Sequence, residues 1–229
     1  MKLIDLSHTF SEKMPVYPGD TPPQFTQVAD YKKEGYFGYR LNSGFHVGTH
    51  IDAPFHMLPD GKRLSEINIE KFFGKGILLD ARGKENIDLD LLGGKSIDKD
   101  SIVLIMIGWY KKFGQEDYYK NRPELTKPFA KKIVELGVKI VGMDTPSPDS
   151  HPYDIHKILL RGEVLIIENL TNLESLVGKE FDVIALPAKF YADGAPIRVV
   201  ARIEEIIVAE NPAFGSPKLS TVPSELRKS

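Results

Sequence analysis

The chain has 229 residues, 41% of them hydrophobic, so it can bury a sizeable core, and its length suits one large domain. With 30 basic and 32 acidic residues its formal net charge is −2, which gives no footprint for nucleic acid or an anionic membrane and leaves a small molecule as the expected partner. It has no cysteine, which excludes disulfides, thiolate metal ligands and a cysteine nucleophile; a transition-metal site must use imidazole and carboxylate.

Met1 to His8 meets an acid and a histidine before any apolar run and does not read as a signal peptide. The longest apolar run, Ile102 to Ile107, is too short to span a bilayer, so a cytoplasmic protein is expected. Met14 to Pro23 carries too many prolines for a helix or a central strand and reads as an ordered loop or flap. Tyr39 to Asn42 alternates like a short strand leading into a histidine-rich segment. Gly76 to Asp80 and Ser101 to Ile107 read as buried strands. A helix is expected over Thr126 to Leu136, capped by Thr126, with Pro128 in its first turn and Gly137 stopping it. Strands follow at Val138 to Met143, Val164 to Glu168 and Asp182 to Leu186, with a short helix at Leu173 to Val177. Ile197 to Ile203 and Ile206 to Ala209 read as antiparallel additions. The pattern is α/β with a mixed sheet: one domain over residues 1–210, then a tail over 211–229 that is either an exchanged arm or disordered.

His46, His50, Asp52 and His56 lie within eleven residues and include three of the six histidines. Gly48, Pro54 and the β-branched Thr49 and Ile51 argue against a regular helix there. A turn is expected to bring His46 and His50 together, after which His50 and Asp52 share one side of an extended stretch. Asp52 can ligate one metal or bridge two, and Gly48 is expected to let the backbone approach the metal. Asp144 to Asp149 follows a strand end, where open α/β sheets place ligand crevices. Glu168, straight after Ile166 and Ile167, is either an exposed strand end or a buried carboxylate that is paired or metal-bound.

The run His46-x-Gly-Thr-His50-x-Asp52-x-Pro-x-His56 resembles the signature of the cyclase family of metal-dependent hydrolases, which includes bacterial kynurenine formamidases and isatin hydrolases. The likeness continues through Tyr17-Pro18-Gly19-Asp20, Gly108-Trp109, Asp144-Thr145-Pro146-Ser147, His156 to Glu168 and Ala185-Leu186-Pro187. The resemblance implies a swivelling β/β/α, barrel-like single domain, usually paired in a homodimer. It implies a first metal on His46, His50 and Asp52, a second on Asp52, His156 and Glu168, and His56 as general acid/base. The expected metal is Zn2+, two ions per chain, with Mn2+ as the alternative.

The implied activity is hydrolysis of a small amide, such as N-formyl-L-kynurenine to L-kynurenine and formate. Alternatives are another cyclic amide or lactone, a water-removing cyclase, and a metal-binding domain without catalysis; His56 speaks against the last, because metal binding alone does not need it. Tyr17 stands where kynurenine formamidases carry tryptophan and reads as a substrate platform or as a packed loop anchor. Thr145 and Ser147 are candidate oxyanion contacts. His8 and His151 read as structural, His151 with a second role as a support for a metal ligand.

Overall fold

The apolar, β-branched runs form the middle of a large sheet, and the shorter runs are added at its edges. The structure, a computed structural model, describes residues 1–204. In chain order the strands are β1 (Lys2–Asp5), β2 (Gln24–Ala29), β3 (Gly38–Asn42), β4 (His50–Asp52), β5 (Phe73–Asp80), β6 (Asn86–Ile87), β7 (Ile102–Met106), β8 (Glu124–Leu125), β9 (Ile140–Met143), β10 (Leu165–Glu168), β11 (Phe181–Ile184), β12 (Gly194–Pro196) and β13 (Val200–Ile203). The helices are α1 (Tyr31–Glu34), α2 (Lys127–Glu135) and α3 (Asp154–Arg161).

Nine strands make one mixed sheet in the order β1-β13-β11-β5-β7-β9-β10-β4-β12. Its centre, β5-β7-β9-β10, is parallel, and the strands on either side join antiparallel. Parallel strands are covered on both faces and therefore need continuous apolar sequence. On β7, Ile102, Leu104 and Met106 enter one core while Val103 and Ile105 enter the other. Helices α2 and α3 cover the second core through Phe129, Ile133, Leu159 and Leu160. The sheet covers the first by curling into a half-barrel, so that Ile51, Val183, Ala195 and Ala201 from its outer strands join Leu104 and Ile140. Leu104→Ala would leave a cavity here and cost about 2–5 kcal/mol.

Helix α2 follows its sequence signals. The Thr126 side chain accepts the Phe129 N–H at 3.3 Å, and Gly137 takes a positive φ of 70° just past the end. One expectation needs correction. The run Ile197 to Ile203 is not one strand: β13 takes its second half, and Gly194–Pro196, without a β-branched residue, forms β12 because β4 pairs with it. The helix α3 carrying His156 was not expected, and the short helix expected at Leu173 to Val177 is present as the 3-10 helix Leu173–Leu176. Ile206 to Ala209 and the tail at 211–229 lie outside the described residues. No helix among the described residues is long and apolar enough to cross a membrane.

Candidate metal centre

Gly48, at a positive φ of 64°, makes the turn that carries the chain from His46 into β4. Gly48 lines the cavity with the proposed ligands, and a second reason for glycine is that a Cβ there would lie 2.3 Å from Met14 Cε. On β4 the side chains alternate, so Ile51 enters the half-barrel core while His50 and Asp52 face the opposite side. Register then sets the site. Glu168, last residue of β10, pairs directly with His50, which settles the alternatives for Glu168 in favour of a buried carboxylate. His156 comes from the first turn of α3, where Asp149 accepts both the Ile155 N–H (2.6 Å) and His156 Nδ1 (2.5 Å).

His50 Nε2 lies 3.4 Å from Asp52 Oδ1 and 3.3 Å from Glu168 Oε2. His156 Nε2 lies 3.3 Å from Glu168 Oε1 and 3.8 Å from Asp52 Oδ2. Ligands about 2.0–2.1 Å from a tetrahedral Zn2+ stand roughly 3.3–3.4 Å apart, so this nitrogen–oxygen set fits a divalent cation. Among the described residues, two groups have ligand atoms close enough to share an ion, His46–Asp52–His56 and His50–Asp52–Glu168. Asp52 belongs to both, as a bridging carboxylate would. This grouping puts His56 beside the first position, sets His50 with Glu168 rather than with His46, and leaves His156 at the edge of the second.

Each imidazole turns its other nitrogen to an acceptor, the usual support for a metal-ligating histidine. His50 Nδ1 meets the Gly48 carbonyl at 2.8 Å, His156 Nδ1 meets Asp149, and His46 Nε2 meets Asp193 Oδ2 at 2.9 Å. Asp149 therefore takes the supporting role considered for His151, which is exposed.

Charge points the same way. Burial alone would lower His46 and His156, but carboxylates outweigh it: Asp52 and Asp193 raise His46 to about 10, and Asp149 and Glu168 raise His156 to about 10. Against burial, the same imidazoles hold Asp52 and Glu168 below the ordinary carboxylate range. The buried acids thus demand positive charge, which protons or a cation can supply.

His56 stacks on His46 with ring centroids 3.9 Å apart, and its Nδ1 lies 3.2 Å from Asp193 Oδ2. Burial, with the neighbouring imidazoles His46 and His156, holds His56 below its ordinary pKa, so its neutral form dominates at pH 7. His56 faces a cavity of about 320 Å3 lined by His46, His50, Asp52, His156 and Glu168, with Tyr17, Tyr119, Tyr153 and Ser147 among the walls. Tyr17 has its hydroxyl 3.5 Å from that of Tyr153 and its ring edge-on to Tyr119. Thr145 is not brought to the cavity: it is fully buried and its hydroxyl donates to the Ser147 carbonyl. Ser147 lines the cavity, but its hydroxyl donates to the Asp149 carbonyl at 2.7 Å. Asp144, at the strand end expected to form a crevice, instead ties two strand ends by accepting the Ile107 and Gly108 N–H groups. His8 lies outside this cavity, stacked on Phe113.

Asp149 and Asp193 are the functional residues that sequence reasoning missed. Asp149 stood in the run after β9 without an assigned role. Asp193 gave no stronger signal than an acid before a glycine.

The "Putative cyclase" family model matches residues 4–150. A kynurenine formamidase of Bacillus cereus is 30% identical over 206 residues, spanning 87% of this chain and 96% of the relative. Isatin hydrolase A from Labrenzia aggregata superposes with a TM-score of 0.81 at 24% identity, over 89% of this chain and 94% of its own. A solved structure described as a "Potential Metal-Dependent Hydrolase With Cyclase Activity" gives 0.76 at 25% identity, over 89% and 98%. Fold and site define the class: this is an enzyme, a metal-dependent hydrolase. Within that class the chain belongs to the cyclase family.

Proposed function

We propose that the chain is a two-metal amidohydrolase that cleaves a small aryl amide, with N-formyl-L-kynurenine as substrate and L-kynurenine and formate as products. The observation that carries this reading is the place of His56: below its ordinary pKa, held by Asp193, and in the wall of the cavity that exposes the acid–imidazole cluster. Kynurenine formamidase relatives that align over nearly their whole length support the substrate.

In this reading His46, His50 and Asp52 hold one Zn2+ or Mn2+, and Asp52, His156 and Glu168 hold the second. The ions supply Lewis acidity, making water a nucleophile near neutrality and polarising the carbonyl. The chain supplies the rest. Tyr17 and Tyr119 offer faces and edges for an aryl ring. His56 Nε2 accepts a proton as water oxygen bonds to the formyl carbon. It returns that proton to nitrogen as the C–N bond breaks, because an arylamine leaves poorly as an anion.

A homodimer is part of the proposal. Ribbon β2–β3 pairs Phe25 with Leu41 and Gln27 with Tyr39 on one face, and Thr26 with Arg40 on the other. Phe25, Tyr39 and Leu41 are exposed, so a largely apolar face is open to a second copy.

The test measures metal per chain and turnover of N-formylkynurenine, a lactam and a lactone, with and without chelator. Metal-dependent formamide cleavage, lost in His56→Ala with metal retained, is expected. Turnover that survives complete metal removal, or is unchanged in His56→Ala, would overturn the mechanism; preference for the lactam or lactone would overturn the substrate.

A further inference from the structure

The proposed roles give His46 and His56 different work, yet their rings stack and their reachable nitrogens lie in one small space. What separates them is found in Asp193. One oxygen of this carboxylate, Oδ2, lies 2.9 Å from His46 Nε2 and 3.2 Å from His56 Nδ1. An ionised carboxylate only accepts hydrogen bonds, so the nitrogen that faces it on each ring carries a hydrogen. The two rings present opposite atoms to Asp193, and their remaining nitrogens are therefore opposite too. His46 Nδ1 faces the second carboxylate, Asp52 Oδ1, at 2.7 Å, so in the metal-free protein it also carries a hydrogen, the one that a cation shared with Asp52 would replace. His56 is left with Nε2 to exchange protons.

The backbone is built for this contact. The Asp193 carbonyl accepts the Ala53 N–H at 2.8 Å, directly after β4, and Gly194 pairs with Asp52 in the register of β12. A Cβ on Gly194 would lie 2.7 Å from His46 Cε1 and 2.7 Å from the Ile51 carbonyl oxygen. The neighbour of Asp193 must therefore be glycine for the His46 ring to come this close to β12 and reach the carboxylate. Two consecutive residues thus do two jobs: Gly194 makes room for the ring and Asp193 fixes its orientation.

We propose that Asp193 is a positioning residue that sets opposite tautomers on His46 and His56, and so makes one a metal ligand and the other the proton carrier. This rests on the roles proposed above for the two histidines. Asp193 does not reach the reacting atoms through its own chemistry; it acts through two rings. Its loss should therefore weaken the metal and slow the proton step together, through one side chain more than a hundred residues from either histidine.

Asp193→Asn keeps the shape of the side chain at a partly exposed position and removes its charge. Titration of the metal-free protein with Zn2+ alone, by competition with a chelating dye, is expected to show affinity reduced about 10–100-fold. Imidazole 15N spectra of the Zn2+-loaded protein are expected to show His56 protonated at Nδ1 in the wild type and a mixture of tautomers in the variant. With an amide substrate, kcat is expected to fall at least tenfold while KM stays within threefold, and the acid limb of the kcat/KM profile should move to lower pH. Gly194→Ala is expected to lower Zn2+ affinity as well, by displacing His46. An Asp193→Asn protein with wild-type Zn2+ affinity and an unchanged His56 tautomer would overturn the inference. The dye and 15N readouts need no substrate, so failure of the formamidase reading and failure of the Asp193 inference are separately visible.

Discussion

Glu168 ends β10 directly opposite His50 on β4, and the cross-strand pairing brings Oε2 and Nε2 to 3.3 Å. A hydrogen-bonding register, which involves no side chain, has placed a carboxylate from residue 168 against an imidazole from residue 50. Glu168→Gln keeps that register and removes one charge from a buried cluster. Divalent-metal affinity is expected to fall by more than about 100-fold, beyond what loss of an outer support costs. In the metal-free protein, His50 and His156 lose a shared counter-charge, and stability is expected to drop by about 3 kcal/mol. Metal analysis by mass spectrometry and urea melts of the metal-free proteins check the two effects. A Gln variant that retains full metal would remove Glu168 from the ligand set.

Metal binding and pH are coupled with a definite sign. His46 and His156 are raised to about 10, so both carry a proton at neutral pH in the metal-free protein. A metal ligand must give that proton up, so binding releases protons and weakens as pH falls. In the proposed arrangement the two histidines serve different ions, so the affinity for each ion should fall about tenfold per pH unit below neutrality, for the one such proton it displaces. Calorimetry of Zn2+ binding in buffers of different ionisation enthalpy should report at least two protons released per chain at pH 7, from His46 and His156, with His50, raised against burial by Glu168 and Asp52, adding to them. Release of none would show that both imidazoles are neutral before the metal arrives.

The parts of the site legible in the sequence are those made locally. His46, His50, Asp52 and His56 lie along one turn, one short strand and one 3-10 turn, so spacing alone predicts that the first three converge. Glu168 was half legible, because an acid after Ile166 and Ile167 is either exposed or engaged, and only pairing with β4 decides which. His156 needed the packing of α3 against β10, and Asp193 needed a strand whose Gly-Ala-Pro sequence has no strand character of its own. The resemblance supplied His156 where periodicity could not. The central parallel strands were plain for a physical reason: burial on both faces requires continuous apolar residues. The curl of the sheet was not, since it depends on which outer strands pair, and no local run encodes that.

The β2–β3 ribbon bears on assembly. A two-stranded ribbon is marginal in water on its own. Here the face with Phe25, Tyr39 and Leu41 is exposed, and Phe37 adjoins it at 64% exposure. If a second copy covers this face, light scattering should give twice 25.7 kDa. Tyr39→Lys with Leu41→Glu would place charges in the middle of that contact and shift the protein to monomer at micromolar concentration. Because neither residue lines the metal-site cavity, Zn2+ affinity should be retained. A double variant that remains dimeric would move the interface elsewhere.

His8 supplies a test of stability that does not involve the metal. Its ring lies flat on Phe113, with centroids 3.7 Å apart, and Nε2 is buried with no hydrogen-bond partner among the described residues. Burial lowers its pKa from 6.5 to about 4. Below pH 6.5 the unfolded chain takes up a proton that the folded protein refuses, so this contribution to stability is complete above pH 6.5 and is lost as pH falls toward 4. Discounted for the partial exposure of the ring, the loss is about 1 kcal/mol, or roughly 2–4 °C in a protein of this size. His8→Phe keeps a flat ring against Phe113 and has nothing to titrate. Its melting temperature, measured on metal-free protein, should therefore fall less between pH 7 and pH 5 than the wild type's, while the two are similar at pH 7. Parallel curves for the two proteins would show that His8 is as free to protonate folded as unfolded, and that its burial carries no pH-dependent cost.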